Sequence, residues 1–229
     1  MFLHVPQVLN AGELARARQL LTSDSAWKDG AGSAGQQAVH QKNNQQLAQG
    51  SDASRELQAM VLAAVQREPL FFSAALPKRI FNPLFNRYSG GTNFYGEHVD
   101  GAVVHSSATQ QWVRTDISCT LFISDPADYE GGELVIREHS GEKQVKLPAG
   151  DLILYPGSTV HQVMPVRKGT RLASFFWIES MVRSTEQRRL LFDMDMQLLK
   201  LRTEVGEQNA AVIGLTGTYH NLLRMWADV

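Results

Sequence analysis

Residues 152–166, Leu-Ile-Leu-Tyr-Pro-Gly-Ser-Thr-Val-His-Gln-Val-Met-Pro-Val, contain two short apolar runs that a proline–glycine turn signal separates. The runs, Leu152–Tyr155 and Val160–Val166, are typical of two β-strands joined by a tight connection. The same pattern of short apolar runs separated by turn residues extends from about Leu76 to Glu179. It predicts further strands at Ile80–Tyr88, Asn93–Asp100, Thr115–Ser124, Glu133–Glu138, Lys143–Leu147 and Thr170–Glu179.

Short strands that follow one another without helical patterns between them indicate an antiparallel sandwich or barrel of the jelly-roll kind. We therefore predict an α+β fold with a jelly-roll core. The chain then divides into an N-terminal helical flank at residues 1–78, the strand-rich core at 79–180 and a C-terminal helical extension at 181–229. The polar stretch Gly101–Trp112 is predicted to be a flap between two core strands.

Helical patterns occupy the first third of the chain. Asn10 and Glu13 have the spacing of a capping box, in which each side chain accepts a hydrogen bond from the backbone of the other residue. Residues 51–67 carry apolar side chains at helical spacing, and Pro69 closes that segment because proline cannot continue a helix. We expect both helices to pack on the sheet that follows.

The last part of the chain is helical as well. Ser184 and Gln187 repeat the capping-box spacing. Two amphipathic stripes follow, joined by a glycine-containing link at Gly214–Gly217, and each is predicted to pack against the core or a second copy of the chain. The stripes consist of Leu190, Leu191, Met194, Leu198 and Leu201, and of Tyr219, Leu222, Leu223 and Trp226.

Charge and composition exclude several classes of protein. The 229 residues hold 22 lysines and arginines against 23 aspartates and glutamates, whereas a nucleic-acid binder needs a basic surplus. Cys119 is the single cysteine, so it forms no internal disulfide or CxxC metal site, and we expect it in the core. The chain start lacks a secretory-signal pattern, and no apolar run approaches the ~20 residues of a membrane span. We expect a soluble, cytoplasmic protein.

The pattern that indicates chemistry is His98-Val-Asp100, followed much later by His161. Positions two apart on a strand point to the same face, and an antiparallel sandwich can bring His161 alongside. Two imidazoles and one carboxylate leave three positions of a metal ion open, as in non-haem Fe(II) oxygenases. An HxD pair is common in any sequence, so this spacing alone leaves surface or core histidines as the alternative.

Arg171 follows His161 by ten residues and strengthens the pattern. Period-two alternation places Arg171 on the face of Phe175 and Trp177, where a guanidinium needs an anionic partner because an unpaired buried charge is costly. Its planar fork fits a carboxylate through two parallel hydrogen bonds. A structural salt bridge or a solvent-facing arginine is the alternative interpretation.

Together these motifs resemble the Fe(II)/2-oxoglutarate-dependent dioxygenases, in particular their prolyl-4-hydroxylase-like branch. The stretch Arg87-Tyr-Ser-Gly-Gly-Thr-Asn-Phe-Tyr-Gly-Glu-His-Val-Asp100 is similar to the branch's tyrosine, glycine turn and HxD strand. Gly131-Gly-Glu-Leu134 is similar to its GGxL strand. Pro148-Ala-Gly-Asp-Leu-Ile-Leu-Tyr-Pro156, then His161 and Arg171, match the distal half.

The resemblance extends over nearly the whole chain to the bacterial PKHD-type hydroxylases. It includes Gly35-Gln-Gln-Ala38, Lys42-Asn-Asn-Gln-Gln-Leu47, Phe85-Asn-Arg-Tyr88 and the helical tail. The resemblance implies a double-stranded β-helix core and a hydroxylase that couples oxoglutarate decarboxylation to C–H oxidation. Bacterial relatives are found in iron-handling contexts.

The resemblance also implies the site residues and the cofactors. His98, Asp100 and His161 would bind one Fe(II) per chain, and Arg171 would hold the distal carboxylate of 2-oxoglutarate. Tyr88 would hydrogen-bond the co-substrate near the metal, although it is equally suited to be a core aromatic. L-ascorbate would be the reductant, and O₂ and a small molecule or peptide the other reactants. Neither nucleic acid nor membrane is an expected partner, and a homodimer is a weaker expectation.

Two other functions stay open at this point. A cupin-like metalloenzyme of another class could use the same three ligands. A non-catalytic protein could bind iron and oxoglutarate without turnover. The substrate is not identified by the sequence, but the flap Gly101–Arg114 and the polar segment His40–Gln46 are the segments that we expect to contact it.

Overall fold

The computed structural model of the protein describes residues 1–22, 27–33, 41–91, 93–106, 109–138 and 141–229. In chain order the helices are α1 (Ala11–Leu20), α2 (Asp52–Gln66), α3 (Pro69–Ala75), α4 (Thr185–Val205) and α5 (Ala210–Trp226). The strands are β1 (Leu3–Val5), β2 (Trp27–Asp29), β3 (Lys42–Asn43), β4 (Gln45–Leu47), β5 (Pro77–Ile80), β6 (Leu84–Ser89), β7 (Phe94–His98), β8 (Val103–Ser106), β9 (Gln111–Arg114), β10 (Ile117–Phe122), β11 (Tyr129–Gly131), β12 (Leu134–Glu138), β13 (Gly141–Val145), β14 (Leu152–Pro156), β15 (His161–Val163) and β16 (Val166–Ser180).

Two antiparallel sheets form the core. The larger sheet has the order β1-β14-β10-β16-β6-β4-β2, with β5 and β11 also paired to β16, and the smaller has the order β13-β12-β15-β7-β3. One apolar cluster joins Phe122 and Ile153 of the larger sheet to Leu134 and Ile136 of the smaller. Sheets that pack in this way form a jelly roll, so the predicted α+β class with a double-stranded β-helix core is confirmed.

The first third of the chain is less purely helical than the sequence predicted. It supplies β1, β2 and β4 to the larger sheet and β3 to the smaller one. Each of these strands has only two or three residues. Such strands are too short for an alternating pattern to be visible in the sequence. Strands β1, β3 and β4 form because the core strands β14, β7 and β6 offer backbone groups that pair with them, and β2 pairs in turn with β4.

Two of the predicted core strands are each divided between two strands in the structure. The run Ile80–Tyr88 is divided between β5 and β6, because Pro83 lies between them and cannot donate to a ladder. The run Val160–Val166 ends with β15 at Val163, and β16 begins at Val166. The predicted flap forms the hairpin β8–β9, which pairs from Val103 opposite Arg114 to Ser106 opposite Gln111.

The N-terminal helices pack on the larger sheet as predicted. The capping box of α1 is present, with hydrogen bonds of 3.0 Å from Glu13 N to Asn10 Oδ1 and from Asn10 N to Glu13 Oε2. Leu57 and Val61 of α2 are buried in the same cluster as the apolar residues of the larger sheet. Pro69 stops α2 and is also the first residue of α3, where its missing N–H costs nothing.

The C-terminal helices pack as a pair against the end of the core. Leu191 and Leu198 of α4 and Tyr219 of α5 form a cluster with Leu76 and Val182. Ser184 accepts the predicted hydrogen bond from Gln187 N at 3.2 Å. None of the described helices combines the length and the apolar character that crossing a bilayer requires.

Two details of the tail prediction are wrong. Leu190 is 60% exposed whereas Leu191 is 1% exposed, because adjacent helical residues are rotated by about 100° and only one of the two faces the core. The glycine link is also misplaced: Gly214 and Gly217 lie inside α5. The chain turns at Gly206–Asn209 instead, where Gly206 has a φ of 84° that favours glycine.

Candidate active site

Strands β7 and β15 bring the two predicted histidines together. In the antiparallel pairing of these strands His161 lies opposite His98, and Asp100 follows two residues after β7. The Nε2 atoms of His98 and His161 lie 4.0 and 3.8 Å from Asp100 Oδ1. Potential ligand atoms of all three side chains lie within 4.8 Å of one another, so this group could hold a metal ion.

Backbone carbonyls fix the tautomer of both imidazoles. His98 Nδ1 lies 2.8 Å from the Gly96 oxygen, and His161 Nδ1 lies 2.9 Å from the Thr159 oxygen. A carbonyl oxygen only accepts, so each Nδ1 carries the hydrogen and each Nε2 keeps its lone pair. The lone pairs are on the atoms that converge with Asp100, which is the arrangement that a metal ligand needs.

A serine on the neighbouring strand orients the carboxylate. Ser118 Oγ on β10 donates to Asp100 Oδ2 at 2.5 Å, which leaves Oδ1 directed toward the two imidazoles. Ser118 is 2% exposed, so its hydroxyl group is largely shielded from bulk solvent. The sequence analysis missed this residue, because a serine inside an apolar strand is not distinguishable from any other buried serine.

The three side chains are buried, and burial keeps the imidazole of His98 in the protonation state that metal binding requires. Their side chains are 7%, 11% and 6% exposed for His98, Asp100 and His161. Burial and the neighbouring His161 lower the pKa of His98 to about 4. His98 is therefore neutral at physiological pH, and a neutral imidazole is the form that binds a metal.

The three side chains face a cavity of about 750 Å³ that lies between the two sheets. Tyr88 and Arg171 line the same cavity, so it contains all five residues that the sequence analysis selected. Arg171 lies opposite Tyr88 in the pairing of β16 with β6. Cys119 also borders the cavity and is buried, as predicted, and burial raises the pKa of its thiol.

Arg171 is a buried cation with donor atoms that the described residues leave unused. It is 1% exposed, and its Nε and Nη1 atoms make no hydrogen bond to any described residue. The guanidinium carbon lies 5.3 Å from the ring centroid of Tyr88 and 5.4 Å from that of Phe122. Because a buried donor without a partner is costly, this cation is arranged for an anionic ligand.

Two asparagines lie beside Tyr88 and were not singled out by the sequence analysis. Asn86 Nδ2 lies 3.4 Å from the Tyr88 hydroxyl oxygen. Asn44, which connects β3 to β4, is 2% exposed, and neither its Nδ2 nor its Oδ1 makes a hydrogen bond to a described residue. Polar side chains therefore surround the Tyr88 hydroxyl group at the end of the cavity where Arg171 lies.

The predicted substrate segments border the cavity in part. Lys42 and Asn44, from the segment His40–Gln46, line it, and His40 lies outside the described residues. Gly101 and Val104 of the predicted flap also line it. The apolar periodicity of the sequence does not show that these residues line a cavity. Their position depends on the pairing of β3 with β7 and of β8 with β9.

The comparisons with known proteins agree with this geometry. Residues 83–179 match the family model of the 2OG-Fe(II) oxygenase superfamily, and residues 186–228 match that of the PKHD-type hydroxylase C-terminal domain. PKHD-type hydroxylases of Variovorax paradoxus and Polaromonas sp. are each 57% identical to the chain, and the alignments cover all of both proteins. A PKHD-type hydroxylase of Stenotrophomonas maltophilia is 53% identical over the full length.

Solved structures of low sequence identity share the fold. A Pseudomonas putida prolyl-4-hydroxylase has a TM-score of 0.52 and 20% identity, covering 78% of this chain and 92% of that one. A Trichoplax adhaerens prolyl hydroxylase in complex with a hypoxia inducible factor peptide has a TM-score of 0.55 and 15% identity, covering 83% and 86%.

The family model and the full-length relatives thus identify the chain as a 2OG-Fe(II) oxygenase, a class of oxidoreductase. More than half of the residues are identical over the full length of the relatives named above, which narrows the class to one family. The chain belongs to the PKHD-type hydroxylases. Membership favours the dioxygenase over the two alternatives that the sequence left open, a metalloenzyme of another class and a non-catalytic binding protein.

Proposed function

We propose that His98, Asp100 and His161 bind one Fe(II) per chain. The support is the donor set itself, in which two imidazole Nε2 atoms and one carboxylate oxygen converge at the wall of a cavity. The three ligands would leave three metal positions open for other ligands. The hydrogen bonds from Ser118 and to the two backbone carbonyls would hold the ligand atoms in place.

We propose that Arg171 binds the distal carboxylate of 2-oxoglutarate. The observation that carries this proposal is the pair of unused Arg171 donors, Nε and Nη1, in a buried position on the cavity wall. A planar guanidinium matches a carboxylate through two parallel hydrogen bonds. The Tyr88 hydroxyl group and the Asn44 amide group are near enough to this end to assist, and burial raises the pKa of Tyr88, so the phenol stays a donor.

The reaction that these residues support is hydroxylation of a C–H bond in a small molecule or a peptide. Bound Fe(II) and 2-oxoglutarate would supply the oxidising chemistry, by oxidative decarboxylation of the co-substrate with O₂. The protein's part is to orient the co-substrate between the metal ligands and Arg171 and to exclude water. We also propose L-ascorbate as the reductant, on the family resemblance.

Calorimetry on protein loaded with Mn(II), which binds without turnover, tests the proposal. Arg171→Ala is expected to lose about 2–5 kcal/mol of oxoglutarate binding, which is roughly 30- to 5,000-fold in affinity. Its affinity for Mn(II) should change little, because Arg171 is not a ligand. Arg171→Lys should recover only part of the loss, since an ammonium group lacks the planar fork.

Matched variants separate local from general effects. Arg167→Ala makes the same substitution at an exposed position of β16 and should keep the oxoglutarate affinity of the unmodified protein. His161→Ala should lose tight Mn(II) binding, whereas His220→Ala, an exposed histidine of α5, should keep it. An unchanged oxoglutarate affinity in Arg171→Ala would overturn the co-substrate assignment and leave the metal site standing.

Association into a homodimer is a further proposal. Ile213, Leu215 and Met225 of α5 are 57%, 44% and 73% exposed, so apolar side chains on several sides of this helix are available for contact with a second copy. Sedimentation equilibrium tests it, with dissociation expected for a triple substitution of these residues by serine. A monomer in the unmodified protein would contradict it.

A further inference from the structure

Tyr129 is a buried tyrosine near Arg171 that the proposed chemistry does not use. It is 4% exposed and begins β11, where it pairs with Gly169 of β16, two residues before Arg171. It belongs to the same buried cluster as Tyr88 and Phe122, the two aromatic residues whose rings lie beside the Arg171 guanidinium. Tyr129 is therefore part of the surroundings of the cation that is proposed to bind the co-substrate.

The hydroxyl group of Tyr129 is shielded from solvent and makes no hydrogen bond to a described residue. A buried tyrosine usually has a partner for its hydroxyl group, and an unpaired hydroxyl group costs free energy that a phenylalanine would avoid. The Nε and Nη1 atoms of Arg171 are in the same state. Buried polar atoms without partners that lie this close together indicate a site for a polar ligand.

The charges around this hydroxyl group favour an anion. Burial raises the pKa of Tyr129, and the Arg171 guanidinium is the strongest influence that opposes the rise. The phenol is therefore a neutral donor at pH 7. A guanidinium only donates, so any contact with Arg171 takes a lone pair of the hydroxyl oxygen and leaves its hydrogen for another acceptor. The carboxylates of Glu133 and Asp128 also act on this pKa, but neither accepts a hydrogen bond from the hydroxyl group.

A lysine and a glycine hold the ring of Tyr129 in place. Lys146 Nζ donates to the Tyr129 carbonyl oxygen at 2.8 Å and lies 4.0 Å from the ring centroid. Gly132 leaves space for the ring, because a Cβ atom at this position would lie 2.9 Å from Tyr129 Cε2. Gly132 also has a φ of 67°, which favours glycine. The second glycine of the motif Gly131-Gly-Glu-Leu134 thus permits the placement of this tyrosine.

From this arrangement we infer that the Tyr129 hydroxyl group donates a hydrogen bond to the distal carboxylate of 2-oxoglutarate, beside the Arg171 guanidinium. The inference rests on the proposed function, which assigns that carboxylate to Arg171. Tyr129 is then a further co-substrate-binding residue. It favours oxo acids that carry a carboxylate at the far end over those that carry an apolar group there, because only a carboxylate oxygen accepts its hydrogen bond.

Calorimetry on protein loaded with Mn(II) tests the inference with two ligands. They share the keto-acid end, but 2-oxopentanoate has a methyl group where 2-oxoglutarate has the distal carboxylate. Tyr129→Phe removes only the hydroxyl oxygen. We expect it to weaken 2-oxoglutarate binding by about 10- to 100-fold, the effect of one hydrogen bond to a charged group. The affinity for 2-oxopentanoate, measured at millimolar concentrations, should not change.

Tyr219→Phe is the matched control, since it removes a hydroxyl group from a buried tyrosine in the cluster of the C-terminal helices. It should keep both affinities. Equal 2-oxoglutarate affinity in Tyr129→Phe and the unmodified protein would overturn the inference. An equal loss for both ligands would overturn it as well, because the hydroxyl group would then shape the pocket rather than bind the distal carboxylate.

The thermal stability of the ligand-free protein gives a second measurement. A hydroxyl group that is unpaired without the co-substrate predicts that Tyr129→Phe has a Tm equal to or higher than that of the unmodified protein. A Tm lower by about 2–4 °C is expected if the hydroxyl group forms a hydrogen bond within the protein, and this result would also overturn the inference.

Arg171→Ala, measured in the same series, separates the inference from the proposed function. If Arg171→Ala loses 2-oxoglutarate affinity and Tyr129→Phe keeps it, only the assignment of Tyr129 fails. If both variants keep the affinity, the assignment of the distal carboxylate to Arg171 fails, and the inference fails with it.

Discussion

At the scale of single residues, the hydrogen bond from Ser118 to Asp100 illustrates how a neutral side chain can orient a proposed metal ligand. The Ser118 hydroxyl group holds one carboxylate oxygen and so determines which oxygen faces the imidazoles. Residues that orient ligands in this way typically change metal affinity 10- to 100-fold when they are removed. In the proposed iron site the serine would act on the metal through Asp100, as a positioning residue.

We predict that Ser118→Ala weakens Mn(II) binding by about 10- to 100-fold, measured by calorimetry. Ser174 on the adjacent strand β16 is the control, since it is also fully buried but its hydroxyl group makes no hydrogen bond to a described residue. Ser174→Ala should leave metal affinity unchanged and protein stability equal or higher. A Ser118→Ala protein with undiminished metal affinity would show that Asp100 is oriented by the backbone alone.

At the scale of secondary-structure elements, α4 shows how a helix divides adjacent leucines between core and solvent. Leu191 belongs to the cluster that joins both C-terminal helices to Leu76 and Val182, whereas Leu190 points away from it. The two residues have the same side chain and the same helical backbone. Comparing the two residues therefore isolates the contribution of tertiary packing to the free energy of unfolding.

Leu191→Ala should lower the free energy of unfolding by about 2–5 kcal/mol, because it leaves a cavity in a packed cluster. The same substitution at Leu190 should change it by less than about 0.5 kcal/mol. Urea denaturation of the two variants beside the unmodified protein measures both values. Similar losses for both would indicate that α4 is covered on its outer face as well, for example by a second copy of the chain.

At the scale of the whole molecule, the cavity lies between the two sheets, so its ligands should stabilise the entire jelly roll. Every residue of the candidate site belongs to a core strand or to the segment directly after one. A ligand that binds only the folded state raises the free energy of unfolding by RT ln(1 + [L]/Kd). Occupancy of the site is therefore measurable as thermal stability.

With Mn(II) present, 2-oxoglutarate at 100 times its Kd should raise the free energy of unfolding by about 2.7 kcal/mol. For a chain of this size the gain corresponds to a rise in Tm of about 5–11 °C, observable by differential scanning fluorimetry. Arg171→Ala should keep the rise in Tm that Mn(II) causes. It should lose the rise in Tm that oxoglutarate causes at the same concentration. If Arg171→Ala kept both rises in Tm, oxoglutarate would be bound elsewhere than at Arg171.

The sequence by itself determined the jelly-roll core, the helices at both ends and five of the residues that line the cavity. Strand and helix periodicities are local properties, so β10, β14 and α2 were predictable from their own residues. The separation of His98 and Asp100 by two positions on a strand predicts a shared face, and the motif resemblance supplied His161, Arg171 and Tyr88.

Only the tertiary structure decided which further residues surround the site and which leucines are buried. Lys42 and Asn44 reach the cavity because the two-residue strand β3 pairs with β7, and a strand that short has no periodicity of its own. Ser118 becomes the partner of Asp100 through the placement of β10 beside the site. Such contacts join residues far apart in the chain, and their energy depends on backbone pairing and burial, which no local pattern encodes.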